Sequence, residues 1–212
     1  TPLSCATSLS SARCCTSWNT AASEKTICHP IMTDWITNLN QEVLLPQHVC
    51  LVGGYPEPFY KAPTGKSPAE IRFTRDYERS ALHELAHWCI AGESRRRQDD
   101  YGYWYEPDGR SGNQQQLFFA VEVKPQALEK HFCDALAIPF DVSVDNLDHN
   151  DIEGTETFKN NVEAQYTRYT ASGMPERASV IYRCLQQWQQ GQGRQEVLNT
   201  TQGEIPWQCQ KN

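Results

Sequence analysis

Strand and helix mixed within one domain is the fold class this chain predicts, and three observations carry it. A length of 212 residues suffices for one sizeable core, and no break in composition demands a second. Two short β-like runs, residues 49–52 and 70–74, stand between stretches punctuated by Pro and Gly. Apolar stripes at helical spacing fill most of the remainder.

Residues 1–28 are rich in Ser, Thr and Ala without apolar periodicity, and read as an irregular extension. Ile31, Trp35, Ile36 and Leu39 then recur at helical spacing and lead into the two strands. Residues 81–91 form the next helix, with Leu82, Leu85, Ala86, Cys89 and Ile90 along one stripe and Gly92 placed to end it as a left-handed cap. Phe73, Tyr77 and Trp88 flank it as core residues. A polar connection at 93–100 leads to Tyr101-Gly102-Tyr103-Trp104-Tyr105, whose alternation suggests a strand ended by the turn Pro107-Asp108-Gly109. Pro125 suits the first position of another helix, lined by Ala127, Leu128, Phe132, Ala135 and Leu136, so that Glu122 falls just before its start. Two more helices carry Phe158, Val162, Tyr166 and Tyr169, ending at Gly173, and Ala178, Ile181, Leu185 and Trp188. The Gln- and Gly-rich tail is peripheral, with Trp207 a candidate anchor. The resulting domain spans 29–190, between the extension and a tail at 191–212.

Charge narrows the partners. Lys and Arg number 19 against 26 Asp and Glu, a formal net charge of −7, which argues against direct nucleic-acid binding. Low mean hydropathy, without any run of about 18 apolar residues, excludes a transmembrane helix. The first residues lack the basic and apolar regions of a signal peptide. Nine cysteines, an odd number without a CxxC pair, fit neither a disulfide framework nor a zinc ribbon. Cys89, Cys133 and Cys184 fall on helix faces, where buried free thiols suit a reducing cytoplasm.

The chemistry centres on His83-Glu84-Leu85-Ala86-His87. Four helical residues advance about 400°, which leaves the two imidazoles roughly 40° apart and about 6 Å along one face, within reach of one ion. A catalytic site needs a further ligand, for which Asp99, Asp100, Glu106, Asp108 and Glu122 are the candidates. Asp99 and Asp100 follow three arginines and read as a solvated connection, while Asp108 sits in a turn where aspartate bonds its own backbone. Glu122, between Val121 and Val123, has the strongest case, because an acid in apolar surroundings needs a strong partner. No histidine follows at the HExxHxxGxxH spacing, which excludes the three-histidine peptidases. Two histidines and one glutamate still admit zinc, with Glu84 as general base for a peptidase or endoribonuclease, or ferrous iron with open positions for dioxygen.

The segments ALHELAHWCIAG, YGYWYEPDGR, VEVKPQAL, VSVDNL and GMPERA resemble the bacterial elongation factor P hydroxylase family in content, order and spacing, from about residue 54 to 185. The resemblance implies a compact α+β domain, a small mixed sheet packed by several helices, similar to YbeY-type metal-dependent endoribonucleases. It implies Fe(II) held by His83, His87 and Glu122, dioxygen as cosubstrate, and hydroxylation of the β-lysylated lysine of elongation factor P. Glu84 then becomes a proton carrier, or a neighbour that orients a ligand. Tyr103, Tyr105, Asp108 and Arg110 are candidates to line the entrance for a cationic lysine derivative, or serve equally as structural strand and turn. An electron donor is required, and no 2-oxoglutarate-binding pattern identifies one. The charged stretch Thr74-Arg75-Asp76-Tyr77-Glu78-Arg79-Ser80 and residues 1–45 depart from the family's pattern.

Overall fold

A computed structural model describes residues 32–75, 77–102, 112–144 and 152–202. Outside them lie the expected extension at 1–28, strand positions 103–105, the turn at 107–109, Glu106, Arg110 and Trp207. Five helices, α1 (Met32–Leu39), α2 (Glu78–Ile90), α3 (Gly112–Leu136), α4 (Ile152–Ser172) and α5 (Glu176–Gln202), accompany three strands, β1 (Val49–Tyr55), β2 (Phe59–Lys61) and β3 (Ala69–Thr74). The α+β class holds among the described residues, and none of their helices is long and apolar enough to cross a membrane.

The sheet is mixed, in the order β1-β3-β2, with β1 parallel and β2 antiparallel to the central β3. Strict alternation makes β3 the centre. Ala69, Ile71 and Phe73 are buried, while Glu70 and Arg72 face outward and pair at 2.7 Å, with Lys61 of β2 3.3 Å from Glu70. The three-residue β2 is too short to announce itself in sequence. β1 loses register between Val52 and Tyr55, where Gly54 adopts φ +89 and a Cβ on Gly53 would come within 2.6 Å of the Phe73 ring.

Helix α2 lies against β3, α3 and α5. Its stripe of Ala81, Leu82, Leu85, Ala86 and Cys89 is buried, as the periodicity requires. Trp35 of α1 donates to Glu78 in the first turn at 2.9 Å. The expected left-handed cap at Gly92 is absent. Ala91 is extended instead (φ −61, ψ 127), and the Arg177 guanidinium of α5 donates to the carbonyls of Cys89 at 2.8 Å and Ala91 at 2.6 Å. A side chain distant in sequence replaces the local cap.

Helix α3 also departs from expectation. Pro125 lies inside it, so Glu122 is a mid-helix residue and not the residue before a helix start. The bond that Pro125 cannot donate leaves the Val121 carbonyl free, on a residue 56% exposed where water can take that place. Glu122, Gln126 and Glu129 then recur at i, i+4 and i+7, a buried polar stripe facing α2. Helices α4 and α5 follow the sequence reading, with Phe158 and Val162 buried in one, Ala178, Ile181 and Leu185 in the other, and Gly173 at φ +90 between them. Cys50, Cys89, Cys133 and Cys184 are free thiols.

Candidate metal centre

Two helix faces meet to build the site. From α2, Arg79, His83 and His87 project at intervals of four toward the polar stripe of α3. His83 Nε2 and His87 Nε2 stand 3.1 Å apart, and the Glu122 carboxylate lies 3.2 Å from His87 Nε2 and 3.5 Å from His83 Nε2. Glu122 is only 5% exposed, and Gln126 also reaches it, at 3.5 Å. These three residues form a group able to hold one metal ion.

The donor spacing tests that fit. Around an ion with bonds of about 2.1 Å, neighbouring ligands stand roughly 3.0 Å apart in an octahedral arrangement and roughly 3.4 Å apart in a tetrahedral one. The observed separations, 3.1 Å between the two nitrogens and 3.2 and 3.5 Å to the two oxygens of Glu122, fall in and just above that range. Three side chains on two helices thus present nitrogen and oxygen donors within 4.8 Å of one another, a grouping that could hold one ion.

Sequence reasoning missed the residue that orients His83. Glu129, 2% exposed, bonds His83 Nδ1 through one oxygen at 2.9 Å and takes the Arg79 guanidinium on the other, at 3.1 Å from Nε and 2.9 Å from Nη2. A carboxylate paired with arginine accepts, so Nδ1 carries the donated hydrogen and the Nε2 lone pair is left for a ligand bond. Arg79 is fixed in turn by the Asp141 carbonyl and the Phe140 ring. The signal for Glu129 was the i, i+4, i+7 recurrence of Glu122, Gln126 and Glu129 beside the apolar stripe of Ala127, Leu128 and Phe132.

Electrostatics favour a cation here. Burial opposes charge on His83, but the bond to Glu129 and the charges of Glu122, Glu129 and Glu84 outweigh it and raise its pKa to about 10. Burial likewise opposes charge on Glu122, yet His87 and His83 pull its pKa down to about 2. The field that draws a proton onto His83 is the field a metal cation would satisfy.

The cluster opens into a cleft of about 540 Å³ whose wall includes Phe59, Tyr77, Glu84, Asp100, Tyr101 and Phe118. Burial raises the pKa of Glu84. Among the described residues no hydrogen bond joins it to either histidine, so Glu129 occupies the orienting position considered for Glu84. Phe73 and Trp88 belong to the core as expected, but Tyr77 is 57% exposed on the rim. Asp100, set aside in sequence as part of a solvated connection, is half-buried in the cleft wall. The strand expected from residue 101 is not formed there: Asp100 and Tyr101 take left-handed conformations (φ 48 and 56) in a tight turn that stacks Tyr101 on Tyr60 at 4.2 Å. Tyr103, Tyr105, Asp108 and Arg110 fall outside the described residues.

Fold and site together define an α+β protein with a two-histidine, one-carboxylate cluster at the floor of a half-open cleft. Residues 39–199 match the family model described as elongation factor P hydroxylase. A Haemophilus influenzae protein described as elongation factor P lysine hydroxylase is 42% identical over 155 residues, covering 73% of this chain and 86% of that protein. The chain belongs to the elongation factor P hydroxylase family. The match reaches further toward both ends than the motifs recognisable by eye.

Proposed function

We propose that this protein is a non-haem Fe(II) mono-oxygenase that hydroxylates the β-lysylated lysine of elongation factor P. The observation that carries the reading is the convergence of His83, His87 and Glu122 beneath an open cleft in a chain of this family. An Fe(II) ion held by these three side chains would supply the oxidation, with dioxygen as cosubstrate and two electrons from a separate donor. Glu129 and Arg79 hold His83 in the tautomer that presents Nε2. Glu84, half-buried beside the ligands, carries protons between the cleft and the reacting groups. Phe59, Phe118 and Tyr101 keep apolar surface around the target carbon and limit water. The cationic substrate side chain meets a cleft whose carboxylates outnumber its cations.

The same reading includes the fold likeness to YbeY-type endoribonucleases and a cytoplasmic setting, where the free thiols of Cys50, Cys89, Cys133 and Cys184 stay reduced. Incubation of the iron-loaded protein with β-lysylated elongation factor P, a reductant and air tests it. The factor is expected to gain one oxygen atom in air and none under argon. Equal products under both atmospheres would overturn it.

A further inference from the structure

We infer that Asp100, Glu84 and the Tyr101 hydroxyl form the seat for an ammonium group on the lysyl extension of the substrate; this deepens the proposed function and rests on it. None of the three belongs to the metal-ligating group, yet all line the same cleft. Asp100 uses one oxygen to accept the Tyr60 N–H at 3.0 Å, and among the described residues nothing bonds the other.

Tyr101 supplies the independent sign of a missing ligand. It is 6% exposed, and among the described residues its buried hydroxyl has no hydrogen-bond partner. Buried hydroxyls in native proteins are nearly always paired, so an orphan in a cleft wall points to a group that arrives. Its placement is firmly enforced. The left-handed turn is held by Asp99, which accepts the Ala62 N–H at 2.8 Å, by Asp100 on Tyr60, and by the Tyr60 ring itself.

The arriving group must be cationic. Arg79, the arginine in the cleft wall, is committed to Glu129, and the two histidines face Glu122. Among the described residues neither Asp100 nor Glu84 forms a salt bridge, although the two histidines lie near enough to Glu84 to act on its charge. An ammonium offers three N–H donors on a compact charge, which two carboxylates and a phenol oxygen can accept together. Since the β-lysyl extension projects beyond the lysine carbon presented at the metal, its amino groups are the part of the substrate that reaches such a wall.

Asp100→Asn is a clean probe, because asparagine keeps the acceptor for Tyr60 N–H and tolerates positive φ as well as aspartate does. Binding is measured by calorimetry, anaerobically, on the iron-loaded full chain, against β-lysylated elongation factor P and against the same factor without the added lysyl group. Iron content is determined alongside. Loss of a charge-assisted contact should weaken binding of the modified factor about tenfold in Asp100→Asn and in Glu84→Gln, with iron retained and the unmodified factor unaffected. Should Asp100→Asn fail to fold, Glu84→Gln decides. Variants that bind the modified factor as tightly as the parent, while the parent still prefers it, would overturn the seat alone. A parent protein indifferent to the lysyl extension would overturn the substrate reading and the seat with it.

Discussion

Replacing Glu129 by glutamine tests the link between helix packing and metal affinity. Glu129 serves two donors at once, His83 Nδ1 at 2.9 Å on one oxygen and the Arg79 guanidinium on the other. A glutamine has one carbonyl oxygen, so it satisfies either His83 or Arg79 and turns an N–H₂ toward the remaining donor. Loss of a carboxylate behind a ligating histidine costs about 10- to 100-fold in metal affinity, or about 1.4 to 2.7 kcal/mol. Arg79 also loses its ionic partner, but its side chain is 21% exposed and keeps the Asp141 carbonyl, so solvent offsets part of the cost. We expect metal-free stability to fall by about 1 to 2 kcal/mol, which lowers Tm by roughly 2 to 8 °C for a chain of this size. Competition against a chelator reads the first quantity and thermal unfolding of the metal-free protein the second. A variant with reduced Tm but parental metal affinity would refute the reasoning, since Glu129 would then serve Arg79 alone.

Alanine at His83 or Glu122 should abolish both metal retention and modification of the factor while circular dichroism stays native; retained modification in folded protein contradicts the ligand assignment. In the metal-free protein, His83 has a pKa raised from 6.5 to about 10, so its contribution to stability is complete below pH 6.5 and disappears as pH climbs to about 10. Glu122, lowered from 4.5 to about 2, contributes fully above pH 4.5 and ceases to do so as pH falls toward 2. Denaturant titrations should accordingly show stability declining above pH 6.5 without metal, and a flat profile there would exclude the coupling. Because a ligand bond displaces the proton from His83, metal affinity should rise over the same range, measurable as proton release on loading. Gly53→Ala forces a Cβ to within 2.6 Å of the Phe73 ring and should cost about 1 to 3 kcal/mol, seen as a shifted denaturant midpoint; an unchanged midpoint would mean that the bulge relaxes freely.

What the sequence disclosed, and what it hid, follows from range. His83 and His87 were legible because ligand spacing and apolar stripe belong to one helix, and both are local patterns. Glu122 was legible as an acid among apolar neighbours, but its setting was misjudged: Pro125 looked like a helix start, whereas a single helix runs through it, with the unmade bond falling at Val121, an exposed residue. The end of α2 was misassigned to Gly92, because the cap comes from Arg177, some 86 residues further on, which no window around the helix contains. The aromatic alternation from Tyr101 imitated a strand. Its start is a left-handed turn fixed by Tyr60 and Ala62, contacts set by tertiary structure and not by periodicity. Glu129 was overlooked and Asp100 set aside for a shared reason: the partner of each, His83 or Tyr60, lies on another element.

Oxidation with dioxygen and hydrolysis with water are both open to a site with the donors of His83, His87 and Glu122, and the proposed function requires the first. Turnover of β-lysylated elongation factor P under heavy-isotope dioxygen in ordinary water, read by mass spectrometry of the modified peptide, separates them most directly. The added oxygen is expected to carry the heavy isotope, and the label to disappear in His87→Ala. Oxygen derived from water, or a product formed equally well by zinc-loaded protein without dioxygen, would contradict it.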